Sequence, residues 1–367
     1  MTRPASTATQ SKPGPSEREL LSVAASIRPT DPSGEHAART RLDQLTKPPG
    51  SLGRLEDIAA QVARVQGLEK PSVARKVVLL MAGDHGVVAE GITPYPQDVT
   101  WQMVANIVSG GAAICQIAAS VGADLRVYDV GVARDITLPG VVARKVAYGT
   151  RNMAVEPAMT REECAEAVLT GIHAARDAAA DGYTLIATGE MGIGNSTAAA
   201  ALTAAYTGAD AGAVAGPGTG LSKEGVARKA RILRDTLALH ATADLDALGK
   251  LAAVGGLEIA ALAGVLLGSA EQGICVVSDG FISGSATLAA VALCPVVAEY
   301  VFASHLSAEP GHPIMLAHLG MQPLLDLDMR LGEGTGAALA MAVIDAACRC
   351  LSNMATFSEA GVSSGNA

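Results

Sequence analysis

Tyr183-Thr184-Leu185-Ile186-Ala187-Thr188-Gly189-Glu190-Met191-Gly192-Ile193-Gly194-Asn195-Ser196-Thr197 passes from an apolar segment through a glycine turn into an alanine-rich run. Strand, glycine loop, helix is the unit from which parallel sheets are built. The texture recurs on both sides of this stretch. Residues 76–81 (KVVLLM) end in Ala82-Gly83-Asp84-His85-Gly86, residues 125–130 end in Gly131, and residues 274–278 end in Asp279-Gly280. Residues 295–303 and 314–319 are further candidate strands. Residues 99–120, 161–181, 196–207, 224–240, 250–270 and 281–293 have the length and composition of the intervening helices. The pattern predicts an α/β fold, a mainly parallel sheet with helices on both faces. In such folds ligands bind beyond the carboxyl ends of the strands, where these glycine turns fall.

Composition supports that class. Of 367 residues 49 % are hydrophobic and only 3 % aromatic, so the core is aliphatic. The net charge is −9 and no block of Lys or Arg occurs, which argues against a nucleic-acid or anionic membrane partner. Six cysteines (115, 164, 275, 294, 348 and 350) include no C-x-x-C pair and no zinc-like Cys/His spacing. Reduced thiols in a cytoplasmic protein, with no metal, are expected. Residues 1–17, rich in Ser, Thr, Pro and Ala, read as a disordered leader. Residues 251–270 are long enough to raise the question of a membrane span, but Glu258 and the Ala/Gly content indicate a buried helix. The large α/β domain is expected over 71–336. Helical segments at 18–70 and 337–367 are expected to pack together as a small domain.

Several constellations carry chemistry. Leu331-Gly332-Glu333-Gly334-Thr335-Gly336 sets one carboxylate among glycines, directly before an apolar run that starts a helix. Glu333 near the positive helix end is expected to be ionised. On the residues alone it is either a helix-capping group or a general base. Residues 192–197 form a candidate anion loop, with Gly192, Gly194, Asn195 and Ser196 presenting donors at a helix N-terminus. No Lys follows, so it is not a Walker loop, and it does not fit G-x-G-x-x-G. A second loop, Gly216-Pro217-Gly218-Thr219-Gly220, ends near Lys223, which is either a phosphate partner or a solvated helix-start residue. Asp279 and Ser283 suit a ribose or phosphate contact, and Glu190 either a ribose contact or the role of a second carboxylate. Gln102 and Met103, beside Trp101, suit a flat heteroaromatic ring together with Leu331. Asp84-His85 resembles a dyad, but no G-x-S-x-G nucleophile accompanies it, so structural hydrogen bonding is the alternative.

Taken together, Lys47-Pro48-Pro49-Gly50-Ser51-Leu52-Gly53, Ala82-Gly83-Asp84-His85-Gly86-Val87 and residues 189–195, 277–284, 304–312 and 332–336 resemble one family. It is the nicotinate-nucleotide–dimethylbenzimidazole phosphoribosyltransferases of cobalamin lower-ligand assembly, and the similarity runs in order from about residue 40 to 360. The resemblance implies transfer of phosphoribose from nicotinate mononucleotide to 5,6-dimethylbenzimidazole, with no cofactor and with inversion at C1′. It also implies a Rossmann-like large domain, a small helical domain from both chain ends, and a homodimer. The family's catalytic base falls on Glu333. Two rivals remain from other classes: a dehydrogenase on a similar sheet, which the missing G-x-G-x-x-G disfavours, and a nucleotide sensor, for which Glu333 would be dispensable.

Overall fold

The computed structural model describes residues 13–363. Helices α1 (Pro15–Ser26), α2 (Pro32–Gln44) and α3 (Arg54–Gln66) precede strand β1 (Lys76–Gly83). Helices α4 (Val99–Val108) and α5 (Ala113–Ser120) lead to β2 (Ala123–Gly131) and the short β3 (Val141–Ala143). Next come α6 (Arg161–Ala180), β4 (Leu185–Met191), α7 (Asn195–Thr207), the single turn α8 (Ala211–Val214) and α9 (Lys223–Leu239). The chain continues through α10 (Ala247–Val254), α11 (Leu257–Glu271), β5 (Cys275–Ser278), α12 (Phe281–Leu293) and β6 (Val301–Ala303). It closes with α13 (Gly311–Leu319), α14 (Thr335–Asn353) and α15 (Phe357–Ala360).

The six strands form one sheet in the order β3-β2-β1-β4-β5-β6, every pair parallel. That order is Rossmann-like, and it reverses its winding between β1 and β4, which opens a crevice beyond their carboxyl ends. Alternation along each strand feeds two cores. Val77, Leu79 and Met81 of β1 and Ile186 of β4 join one hydrophobic cluster, to which α6, α7, α11 and α12 contribute. Val78, Leu80 and Ala82 join the other with Leu185 and Ala187, packed beneath α2, α3 and α14. Helix α11 is buried along its length and crosses α6 with backbone against backbone. A Cβ at Gly264 would stand 1.8 Å from the Val168 carbonyl oxygen, and one at Gly171 1.8 Å from that of Ala261. Only glycine permits that approach.

Several element expectations are revised. The run 99–120 is two helices, broken at Gly110-Gly111, with Gly110 at φ +80°. The run 250–270 breaks at Gly255-Gly256 into α10 and α11. Residues 314–319 lie in α13 and are not a strand: a six-residue apolar run fits either structure, and Gly311-His312-Pro313 starts a helix. Of residues 295–303 only β6 joins the sheet, after a 3₁₀ turn over Pro295–Tyr300. Strand β3 has no counterpart among the sequence expectations. Residues 1–12 of the expected leader lie outside the described residues, as do 364–367, whereas 15–17 already open α1. Among the terminal helices, α2, α3 and α14 pack on one another and share a core with the sheet, while α1 packs on α6.

Candidate active site

Gly332, Glu333 and Gly334 are consecutive left-handed residues, at φ +86°, +62° and +90°. For a glutamate this costs about 1–2 kcal/mol, and strain of that kind is retained where the surroundings impose it. They do so here by close contact. A Cβ at Gly189 would lie 2.6 Å from the Glu333 carbonyl oxygen, so the turn rests directly on β4. The N-terminus of α14, opened by this turn, is served by another residue: Asp279 Oδ1 accepts from Ala337 N–H at 2.8 Å and Oδ2 from Gly334 N–H at 3.3 Å. Glu333 therefore does not cap the helix. Its carboxylate is 6 % exposed, lines the crevice, and leaves Oε2 without a hydrogen-bond partner.

Burial raises the Glu333 pKa above the ordinary carboxylate value, with the Ile114 backbone N–H opposing and the Asp279 charge reinforcing the shift. Desolvation thus works against the ionised form that the helix N-terminus favours. Glu190, at the end of β4, is pushed up to about 8 by burial and by the charges of Asp279 and Glu258. Its Oε1 accepts from the Glu333 backbone N–H at 3.3 Å, and its Oε2 accepts from the Asn195 amide.

The crevice is a cavity of about 390 Å³. Glu190, Gly192, Gly194, Asn195, Ser196, Gly218, Met103, Leu331 and Glu333 all line it, so most of the residues singled out in the sequence converge here. Ile92, Tyr95, Val99, Met191 and Ile193 give one side an apolar wall. Asp279 and Ser283 line a small inner recess of about 20 Å³, room for roughly one water, which shares Glu190, Ile282, Glu309 and Arg330 with the main cavity. Two expected contacts are not among the lining residues. Gln102 is exposed on α4, on a different side of the helix from Met103. Lys223 is exposed at the start of α9.

Besides Arg330, which lines both cavities, the nearest cation is Lys229, further along α9 and missed in the sequence, which lies behind the lining residue Ser196 and not in the lining itself. It is fully buried, and its Nζ donates to Ser196 Oγ at 3.1 Å and to the Gly216 carbonyl at 3.4 Å. Burial lowers its pKa to about 8, with Glu309 opposing the shift. Helix α7 begins at Asn195 behind Gly194, at φ +97°, with no side-chain cap; its Asn195 and Thr197 N–H groups close onto the Gly192 and Gly194 carbonyls, and Ser196 lies between them beside that ammonium. A helix N-terminus with a buried cation behind it favours an anion in the adjoining cavity.

Other motif residues support the site from behind. His85 Nε2 lies 2.6 Å from Glu258 Oε1, both fully buried. Burial disfavours the charged imidazole, but the Glu258 and Asp84 charges outweigh it and raise its pKa. Asp84 Oδ2 accepts from the Ala133 N–H at 2.8 Å, so Asp84 and His85 form no catalytic dyad. Lys47, from the Pro-Pro-Gly motif, pairs with Glu56 at 2.8 Å, and neither lines the cavity. Signals for these pairings are absent from the sequence, since the partners are distant along the chain.

Comparison with known proteins is consistent throughout. A family model described as phosphoribosyltransferase matches residues 27–362. The chain is 50 % identical over 338 residues to the nicotinate-nucleotide–dimethylbenzimidazole phosphoribosyltransferase of Chloroflexus aggregans, covering 92 % of this chain and 96 % of that one. It is 50 % identical over 347 residues to the same-named protein of Geobacter metallireducens, covering 94 % and 98 %. The crystal structure of CobT from Thermus thermophilus superposes with a TM-score of 0.87 at 50 % identity, over 90 % of this chain and 99 % of that one.

Proposed function

The chain belongs to the phosphoribosyltransferase family, and from that premise we propose that it moves the 5-phosphoribosyl group of nicotinate mononucleotide onto 5,6-dimethylbenzimidazole. The products are nicotinate and α-ribazole 5′-phosphate, a step in cobalamin nucleotide-loop assembly. The observation that carries this reading is the Glu333 carboxylate. It is buried, leaves Oε2 unpartnered, and lines a cavity that it shares with apolar side chains and with Gly194, Asn195 and Ser196 at the start of α7.

The chemistry needs one base and no acid. The C1′–N bond to nicotinate breaks with its electron pair going to the ring nitrogen, which leaves as an uncharged pyridine. The alcohol leaving groups of glycoside hydrolysis need a protonating carboxylic acid; this one does not. An azole nitrogen attacks C1′ from the opposite face and inverts it. Charge developing on the azole is relieved when its other nitrogen gives up a proton to Glu333 Oε2. Lys229, Ser196 and the first turn of α7 take the phosphate; Met103, Leu331 and their apolar neighbours take the azole ring. A general base typically contributes about 10²–10⁴-fold, and the fixed placement of both substrates supplies much of the rest.

A homodimer acting in the cytoplasm belongs to the same proposal. All six cysteines are free thiols. On α4 and α5 the apolar side chains of Trp101, Met103, Val108 and Ile117 are only half-buried within one chain. A half-buried apolar face of this kind suits a second copy. The test of the function is direct: nicotinate release is followed when the protein is mixed with nicotinate mononucleotide and dimethylbenzimidazole. Release that depends on both substrates supports the assignment, and its absence overturns it.

A further inference from the structure

Glu309 is a cavity carboxylate that the reaction as written leaves idle, and one of its oxygens is unfilled. It lies in the loop before α13, is 4 % exposed, and lines both the main cavity and the inner recess. Its Oε1 accepts from the Gly218 N–H at 3.0 Å, whereas its Oε2 is buried with no hydrogen-bond partner. Gly216 packs so closely that a Cβ there would stand 1.9 Å from that oxygen. The nearby Lys229 ammonium bonds to Ser196 and Gly216 and leaves Oε2 free. A buried carboxylate oxygen without a donor is costly, so a ligand that supplies a donor gains there.

On a ribonucleotide donor substrate, few groups qualify. The phosphate dianion and the nicotinate carboxylate carry no proton to give, and the azole N–H of the acceptor goes to Glu333. The 2′- and 3′-hydroxyls of the ribose are what remain. Glu190, the other carboxylate in reach of the sugar, already has both oxygens engaged by Asn195 and the Glu333 N–H. We propose that Glu309 is a specificity residue that selects the sugar, its free Oε2 accepting a hydrogen bond from a ribose hydroxyl. This rests on the donor being nicotinate mononucleotide, as proposed above. A deoxy analogue leaves the buried oxygen unpaired and is rejected.

The experiment compares kcat/KM for nicotinate mononucleotide with its 2′-deoxy and 3′-deoxy analogues, in the unaltered enzyme and in Glu309→Gln. The unaltered enzyme is expected to disfavour at least one analogue by about tenfold or more. Glu309→Gln, which puts an amide in place of the acceptor, is expected to lower activity on the ribonucleotide while leaving that analogue's activity nearly unchanged, so the ratio collapses. The KM for dimethylbenzimidazole stays the same. Equal use of both analogues by the unaltered enzyme overturns the inference even if the variant fails to fold. So does full discrimination retained by the variant. No turnover of the ribonucleotide itself overturns the proposed function, and this inference with it.

Discussion

At Glu333 a strained backbone, a desolvated carboxylate and an unfilled acceptor coincide, and each has a measurable consequence. Glu333→Gln keeps the shape and removes the base, so kcat is expected to fall by about 10²–10⁴-fold while the KM for the mononucleotide changes little. Because burial holds the Glu333 pKa above the usual carboxylate range, activity rises with pH through that raised value as the base ionises. The alkaline side belongs to Lys229. With its pKa lowered to about 8, it is charged below that pH and neutral above it. The KM for nicotinate mononucleotide is therefore expected to climb as pH passes about 8. Lys229→Met should raise that KM by about ten- to a hundredfold at pH 7 and flatten its pH dependence, as loss of a charged hydrogen bond does. Lys223→Ala, at an exposed position, is expected to leave the KM unchanged; an increase would return Lys223 to the site. The contrast also marks what a sequence reveals. Flanking glycines announce Glu333, because a local backbone requirement is written locally. Lys229 sits among Arg228, Arg231 and Arg234 on an amphipathic helix, and nothing local separates a buried cation from a solvated one.

Among the elements, α14 is the one whose position the chemistry depends on, since its first turn follows directly from Glu333. Its anchor is the Asp279 carboxylate, reaching from the β5–α12 turn to the Gly334 and Ala337 N–H groups. Asp279→Ala strips that cap, and a loss of about 1–2 kcal/mol is expected as a lower urea midpoint. The kcat should fall as well, because the Glu333 turn loosens with the helix. Asp279→Asn keeps one acceptor oxygen and should lie between the two; an unchanged midpoint in both variants would remove the anchoring role. This long-range cap could not be read from sequence, where Asp279 carries only the signature of a strand-end turn. Helix identity was readable wherever a run exceeded about ten residues, as for α6, α7, α9 and α12. Boundaries inside apolar runs were not, because Gly110-Gly111 and Gly255-Gly256 break the chain without any change of polarity.

For the molecule as a whole, strand order decides where chemistry can occur. Repeated strand–turn–helix units announced the parallel sheet, but only the pairing of β1 with both β2 and β4 locates the winding reversal that opens the cavity. The terminal helices raise a further question, because α2, α3 and α14 continue the core beneath the sheet while α4 and α5 leave Trp101, Met103, Val108 and Ile117 only half-buried. That half-covered face, beside the cavity-lining residue Met103, is where a second copy is expected to dock. Sedimentation equilibrium at micromolar concentration should then report a particle of two 37.0 kDa chains. Ala113 and Ala119 are exposed on α5, and neither lines the cavity. Ala113→Asp with Ala119→Asp would bury like charges from both copies, and is expected to yield monomers that melt as the parent subunit does. A parent that already sediments as one chain, or a charged variant that still pairs, would place the subunit contact elsewhere or remove it.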